Sequence, residues 1–183
     1  MSAPDLGGRM PARAAAAAFV LMLAGQAGGA AAAEVLRYDI QGAASICQPA
    51  TSEFAGHLRA RPLGLVNEGT TSAFVSCAPL GDPRPGGRGA MKILVEVGAT
   101  GPTAAAASCT FVDGLQQGGS VNAVYRTKST LLNAGQRGVP LTWQPSEIAG
   151  APEHIFRPAV QCMLTPGAAV HYLAITYDED VGS

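Results

Sequence analysis

The chain contains few of the residue types and motifs on which most enzyme sites depend. Of its 183 residues, 14% are charged, 5% are aromatic and three are histidines, His57, His154 and His171. The histidines lack the H-x-H or H-E-x-x-H spacing that places two imidazoles on one metal ion. No G-x-S-x-G pentapeptide is present to hold a serine nucleophile. No catalytic residue is therefore identified by a motif, and we expect no resident cofactor.

A strong charge of either sign is also absent. The formal net charge is −1, and removal of residues 1–33 leaves 10 basic and 12 acidic residues. Nucleic-acid-binding domains and proteins drawn to anionic membrane surfaces carry a marked basic excess. We therefore expect no nucleic-acid partner and no attraction to a membrane surface.

Apolar runs long enough to span a bilayer are missing as well. Arg9 and Arg13 precede an apolar run at residues 14–24, and small residues then lead to Ala33. This arrangement is typical of a secretory signal peptide, and the run is too short to cross a hydrocarbon core of about 30 Å as a helix. The sequence predicts a signal-peptide helix within residues 1–33, a periplasmic or secreted protein, and no stable membrane insertion after the signal is removed.

Residues 34–183 are expected to form a single domain, which contains all four cysteines. An even number of cysteines in an exported protein favours two disulfides, whereas the spacings are too long for the paired ligands of a zinc site. Four cysteines allow three pairings. We favour Cys47 with Cys77 and Cys109 with Cys162, because the first pair closes the nearer ends and the later cysteines lie on apolar stripes.

Short alternating segments separated by glycine- and proline-rich turns run through the whole predicted domain. No amphipathic helix follows the signal segment, and eight or nine strands are spaced about 10 to 15 residues apart. This pattern predicts an all-β fold, an antiparallel two-sheet β-sandwich of the jelly-roll or immunoglobulin-like kind. The clearest predicted strands are residues 35–40, 62–66, 71–77, 91–97, 107–111, 121–127, 139–143, 157–164 and 169–177.

Several of these strands are expected to pair as hairpins. Residues 157–178 form the clearest case, because Pro166 and Gly167 suit the two central positions of a type II turn. A second hairpin is expected at residues 62–77, around a turn at 67–69. Residues 91–97 and 107–111 are expected to be a strand and its return, with the return ending at Asp113-Gly114.

The cysteines and turn residues together carry a resemblance that spans most of the predicted domain. The chain resembles a group of uncharacterised secreted four-cysteine β-sandwich proteins of Gram-negative bacteria. The resemblance implies a sandwich fold and export, and it implies no activity. The residues that carry it are Cys47-Gln48-Pro49, Asn67, Cys77, Pro79, Ser108-Cys109, Cys162, Leu164, Pro166 and Gly167.

Four residues are candidates for ligand contacts. Trp143, the single tryptophan, suits either a sugar-stacking platform or, more commonly for a strand tryptophan, the core. Arg84 and Arg88 lie in a glycine- and proline-rich loop, where they could bind an anion or simply be solvated. His154 lies in a predicted loop, where functional residues are frequent.

Acidic residues offer two further hypotheses. Asp178, Glu179 and Asp180 supply oxygen ligands of the kind calcium prefers, although such a cluster near a terminus is usually solvated. Glu96 lies on the predicted strand at residues 91–97 and is expected on its solvated face. His171 could point to either face of its strand.

The function expected from these features is that of an exported, non-enzymatic module. It would bind a glycan or a protein through its loops, or have a structural role in the cell envelope. The alternative is a secreted enzyme that acts on a polysaccharide or a peptide, with a site that no local motif shows. A third hypothesis is a surface-fibre subunit in which the last strand, with Ile175 and Tyr177, exchanges between molecules.

Overall fold

The structure is a computed structural model that describes residues 34–79, 89–117, 119–148 and 153–181, without the side chains of 115–117 and 180. Its only described α-helix, α1, has four residues, Ala43–Ile46, and 3₁₀ turns occur at Ser52–Gly56 and Pro145–Glu147. No helix in these ranges could cross a bilayer. The strands are β1 Glu34–Gly42, β2 Cys47–Pro49, β3 Leu58–Arg61, β4 Gly64–Asn67, β5 Ala73–Cys77, β6 Ala90–Ala99, β7 Ala105–Gln117, β8 Ser120–Leu132, β9 Val139–Trp143, β10 Pro158–Leu164 and β11 Ala168–Asp180.

These strands form two antiparallel sheets, which confirms the predicted sandwich. The six-stranded sheet has the order β3-β4-β11-β6-β9, and β1 pairs with β11 on the same side as β4. The five-stranded sheet has the order β2-β5-β10-β7-β8. Strand β11 is paired on both sides within its own sheet, an arrangement that does not favour its exchange between molecules.

The core lies between the sheets and is built by strand alternation. Ile93, Val95 and Val97 of β6 are fully buried, as the period of two predicted. Met91, predicted on the same face, is 38% exposed, because the ladder between β6 and β11 shifts register there and leaves Met91 without a partner. Other fully buried core side chains are Val75, Cys109, Phe111, Trp143, Cys162, Leu164, Leu173 and Ile175.

The predicted hairpin at residues 157–178 is wrong in its pairing, although its turn is confirmed. The Ala168 amide donates to the Thr165 carbonyl at 3.0 Å, and Gly167 has a φ of +80°, which the turn requires. However, β10 pairs with β5 and β7, whereas β11 belongs to the other sheet. The chain therefore arches from one sheet to the other, because alternation determines which residues are buried but not which strand is the hydrogen-bonding partner.

Two further predicted hairpins are corrected in the same way. Strands β4 and β5 lie in different sheets, and so do β6 and β7. The actual hairpin partner of β4 is β3, with Arg61 opposite Gly64. The return strand β7 does not end at Asp113-Gly114, because Gly114 stays in the ladder opposite Ala123 of β8. Strand β8 in turn continues past the predicted strand end at residue 127, as far as Leu132.

The disulfides join Cys47 to Cys77 and Cys109 to Cys162, which confirms the favoured pairing. Each pair lies directly opposite on neighbouring strands, with Cα atoms 4.1 and 4.0 Å apart. Both links are therefore within the five-stranded sheet. On a loop-entropy model each stabilises the fold by about 4 kcal/mol. Disulfides are typical of proteins outside the cytoplasm.

Polar bridges close the sandwich between β8 and β9, the outer strands of the two sheets. The Trp143 Nε1 donates to the Arg126 carbonyl at 3.0 Å, and the Lys128 ammonium binds Glu147 at 2.5 Å and donates to the Thr142 carbonyl. Burial opposes ionisation of Glu147, but hydrogen bonds from Lys128 and the Gln144 amide, with the nearby positive charges, lower its pKa below 4.5 overall. The edge of β8 is therefore covered by its neighbour.

Candidate functional site

A bulge in β11 shapes the outer face of the six-stranded sheet. Val170 and Leu173 are both fully buried in the core. In a regular strand, two residues three positions apart point to opposite faces. The ladder to β6 shifts register between Val170 and Tyr172, so His171 has no partner on that strand. An extra residue of this kind is a β-bulge. As a consequence, His171 and Tyr172 both lie on the outer side, half-buried.

A pocket of about 660 Å³ lies over this bulge. Its volume is in the range of small-molecule sites. One wall is the β3–β4 turn, with Arg61 and Leu63, and another is the segment leading into β9, with Arg137. His171 and Tyr172 line it from β11. Residues far apart in sequence thus meet on a sheet face rather than in a loop.

Two fixed polar pairs contribute to the lining. Arg61 forms two hydrogen bonds with Glu68, Nε to Oε1 at 2.7 Å and Nη2 to Oε2 at 2.8 Å. The Tyr172 hydroxyl donates to Glu96 Oε2 at 3.0 Å. Burial raises the pKa of Tyr172 above 10.0, and the hydrogen bond and charge of Glu96 add to this effect. The phenol therefore remains a donor to Glu96 at physiological pH.

His171 has one satisfied and one unsatisfied ring nitrogen. Its Nδ1 lies 2.9 Å from the Leu63 carbonyl, which can only accept a hydrogen bond, so Nδ1 carries a proton. In the neutral ring, Nε2 is then an acceptor. Nε2 is buried and has no hydrogen-bond partner among the described residues. A buried polar atom of this kind is rare in native structures.

The ring of His171 packs closely on Gly98 of β6. A Cβ at residue 98 would lie 2.5 Å from Nε2 and 2.9 Å from the Gln136 carbonyl. Any larger residue would therefore have to displace the imidazole or the loop before β9. Gly98 is the residue that lets the histidine occupy this position.

The structure places the predicted ligand contacts elsewhere. Trp143 is fully buried and stacks on Phe111 with ring centroids 5.9 Å apart, which fits the core role and leaves no face for a sugar. Arg84 and Arg88 lie outside the described residues. His154 is buried, with 8% exposure, and its Nε2 lies 4.0 Å from Asp178. Neither Trp143 nor His154 is among the lining residues of the pocket.

The acidic cluster is separated by strand alternation. Asp178 lies opposite Leu36 and Glu179 opposite Val35, so the two carboxylates point to different faces of β11. Asp178 approaches His154, and Glu179 binds Arg37 at 2.6 Å. In the parts of the chain that are described, no three His, Cys, Asp or Glu side chains come close enough together to hold a metal ion. The geometry of Asp178 and Glu179 does not favour a shared calcium ion.

Sequence reasoning therefore missed most of this site. Glu96 is correctly placed on the outer face but is hydrogen-bonded rather than merely solvated. His171, which could have pointed to either face, lies on the side opposite Val170 and on the same side as Tyr172. The signal that could have revealed it is the spacing of the apolar residues: two polar positions between Val170 and Leu173 indicate a bulge.

No protein-family model, no curated protein and no solved structure matches the chain. The resemblance based on the cysteines and turn residues stays a prediction.

Proposed function

We propose that this protein is an exported, non-enzymatic binding module whose pocket takes a neutral, hydroxyl-rich ligand, such as a short glycan. The observation that carries the proposal is the buried Nε2 of His171, an acceptor without a donor beside a pocket of ligand size. The surface that binds the ligand is the outer face of the six-stranded sheet, together with the β3–β4 turn and the segment before β9 that form walls of the pocket.

The lone acceptor favours a ligand that donates hydrogen bonds. A neutral imidazole with its proton on Nδ1 can accept from a hydroxyl or an amine but cannot donate to an anion through Nε2. Leaving such a nitrogen buried and unpaired costs about 1–3 kcal/mol. A ligand hydroxyl that reaches Nε2, after a small movement of the ring, would recover this energy.

The charges of the pocket favour a ligand without net charge. Arg61 and Glu68 neutralise each other, and Arg137 and Glu96 have opposite signs. Paired groups of this kind present both donors and acceptors, which is how hydroxyl-rich molecules are held. The ring of Tyr172 adds an apolar surface on which a sugar could pack.

Export and a non-catalytic role have separate support. The N-terminal segment has the form of a signal peptide, and two disulfides fit an oxidising compartment. In the described part of the chain, Thr71 Oγ1 lies 3.2 Å from Nδ1 of the histidine His57, at an exposed position. Neither residue lines the pocket, so the described lining does not bring together a hydroxyl nucleophile and a histidine base of the kind a hydrolase uses.

The test is a binding titration of the purified, oxidised protein with a panel of neutral and charged oligosaccharides. We expect a neutral oligosaccharide to bind and to shift the imidazole ¹⁵N resonance of His171 in NMR spectra. Tyr172→Phe, which removes the hydroxyl bound to Glu96, is expected to weaken binding about 5- to 10-fold. Tyr125→Phe is the matched control, because Tyr125 is 56% exposed on β8, in the other sheet.

The alternatives give different results in the same experiment. Cleavage of an oligosaccharide during the titration would replace the binding role with the enzymatic one. Tight binding only of charged oligosaccharides, or binding that Tyr125→Phe weakens as much as Tyr172→Phe, would refute the assignment to this pocket. Absence of binding across the panel would refute the glycan class.

A further inference from the structure

Strand β1 exposes an apolar stripe on the outer face of the six-stranded sheet. Leu36, Tyr38 and Ile40 are 62%, 53% and 56% exposed. They lie opposite Asp178, Thr176 and Ala174 of β11, whose neighbours Leu173 and Ile175 point into the core. Three large apolar side chains in one row on a surface strand commonly mark an interaction site.

The backbone of the same strand has an open side. All nine residues of β1 pair with β11 on one side, and within the described ranges no strand pairs with its other side. An edge of this kind is a template for another strand. The edge strand β8 differs from β1, because side-chain hydrogen bonds of Lys128 and Trp143 connect β8 to β9.

The charges of β1 specify what kind of strand would fit. Arg37 and Asp39 flank Tyr38 and point to the face opposite the apolar stripe. Proteins often protect an edge strand with charges of one sign, such as lysines, which repel a second copy. Here the two charges that flank Tyr38 have opposite signs and are placed symmetrically about it. A second copy in antiparallel orientation would meet complementary charges.

We infer that β1 pairs with β1 of a second copy of this chain in an antiparallel, two-fold symmetric arrangement centred on Tyr38. In this register Arg37 of one copy lies opposite Asp39 of the other, twice. Leu36 lies opposite Ile40, also twice, and the two Tyr38 side chains meet at the axis. A two-fold interface uses the same surface on both copies, as this one does.

Neighbouring registers are unfavourable for reasons that the sequence of β1 makes plain. A shift of one residue places the apolar stripe of one copy beside the polar face of the other. A shift of two residues places either Arg37 opposite Arg37 or Asp39 opposite Asp39, and like charges directly opposite are destabilising. The register centred on Tyr38 avoids both problems. The dimer joins the two six-stranded sheets into one continuous sheet with a doubled apolar stripe.

Charge-reversal variants test the pairing. Analytical ultracentrifugation of the purified, oxidised protein is expected to show a concentration-dependent dimer. R37D and D39R should each be monomeric, because each places like charges opposite each other. An equimolar mixture of R37D and D39R should form a heterodimer, and the double variant R37D/D39R should again form a homodimer. The ion pair of Arg37 with Glu179 is exposed, so its loss in R37D costs at most about 1 kcal/mol.

The register has its own test. In Tyr38→Cys the two introduced Cα atoms would lie about 4.5–5.5 Å apart across the axis, within reach of a disulfide, so mild oxidation should link the dimer. In Leu36→Cys they would lie about 14 Å apart, at 3.4 Å per residue, and no link should form. A monomer at all concentrations, a dimer that survives D39R, or equal crosslinking of the two cysteine variants would overturn the inference. The glycan-binding proposal depends on none of these outcomes.

Discussion

Replacement of Asn67 by alanine is expected to be one of the most destabilising single changes in this fold. Asn67 is fully buried at the end of β4, where the chain arches toward β5. Its Nδ2 donates to the Thr71 carbonyl at 2.9 Å and to the Leu164 carbonyl at 2.8 Å, and its Oδ1 accepts from the Gly69 amide at 2.9 Å. Leu164 ends β10, where the chain makes another arch. One side chain therefore ties two crossings between the sheets together.

The expected loss follows from these three hydrogen bonds. The Leu164 carbonyl lies in a buried contact, and losing its donor costs about 1–3 kcal/mol, whereas the two partly buried bonds contribute about 0.5–1 kcal/mol each. The free energy of unfolding of Asn67→Ala should therefore fall by about 3 kcal/mol. For a domain of this size the melting temperature should fall by roughly 6–12 °C.

Asn67→Asp provides a pH-dependent version of the same test. The aspartate keeps the acceptor for the Gly69 amide but loses both donors, and its carboxylate would face the Leu164 and Thr71 carbonyls. Burial and these dipoles raise the pKa of such a carboxyl in the folded state. A raised pKa means that the variant is least stable when the group is ionised and regains stability as the pH falls, because the protonated oxygen can again donate.

Urea unfolding followed by the fluorescence of the single tryptophan, the buried Trp143, would measure both variants. Asn122→Ala is the control, because Asn122 is exposed on β8. A loss of less than about 1 kcal/mol in Asn67→Ala would contradict the role assigned to these three hydrogen bonds. So would a stability deficit of Asn67→Asp, relative to wild type, that stayed constant between pH 7 and pH 4.

Three further outcomes are expected. Gly98→Ala should displace His171 and weaken oligosaccharide binding at least 10-fold, because its Cβ would lie 2.5 Å from His171 Nε2. The control in the binding titration is Gly101→Ala, whose Cβ would meet nothing within 4 Å. Equal affinities of the two variants would contradict the role of Gly98. The interactions that lower the pKa of Glu147 stabilise the fold above pH 4.5, and this contribution is lost as the pH falls through the folded-state pKa. In urea unfolding, Glu147→Gln should therefore cost up to about 1 kcal/mol at pH 7 and almost nothing at pH 3. A cost that does not change with pH would count against the ion pair with Lys128. Trp143→Phe should lose about 2 kcal/mol, measured by circular dichroism, through a cavity and a lost hydrogen bond; a loss under 0.5 kcal/mol would show that the bridge to β8 is unimportant.

The site was less predictable than the fold, and His171 shows why. Alternation assigns each residue of a regular strand to one face, and on that basis His171 and Tyr172 belong on opposite faces. The bulge that brings them together arises only because Val170 and Leu173 both reach the core. Arg61 and Arg137 join the pocket from segments that are distant in sequence, so no local pattern could connect them with His171.

Features that depend on near neighbours in the chain could be predicted from the sequence. The alternation of β6, the buried cysteines and the turn at Pro166-Gly167 follow from side-chain polarity and backbone preference within a few residues, and the structure has each of them. The sheet to which each strand belongs follows only from the three-dimensional structure. Strands β10 and β11 illustrate the reason. Each buries one apolar face whether the two strands are hydrogen-bonded to each other or lie in opposite sheets. Their hydrogen-bonding partners are set by contacts between residues far apart in the chain, such as those of Asn67 with Leu164.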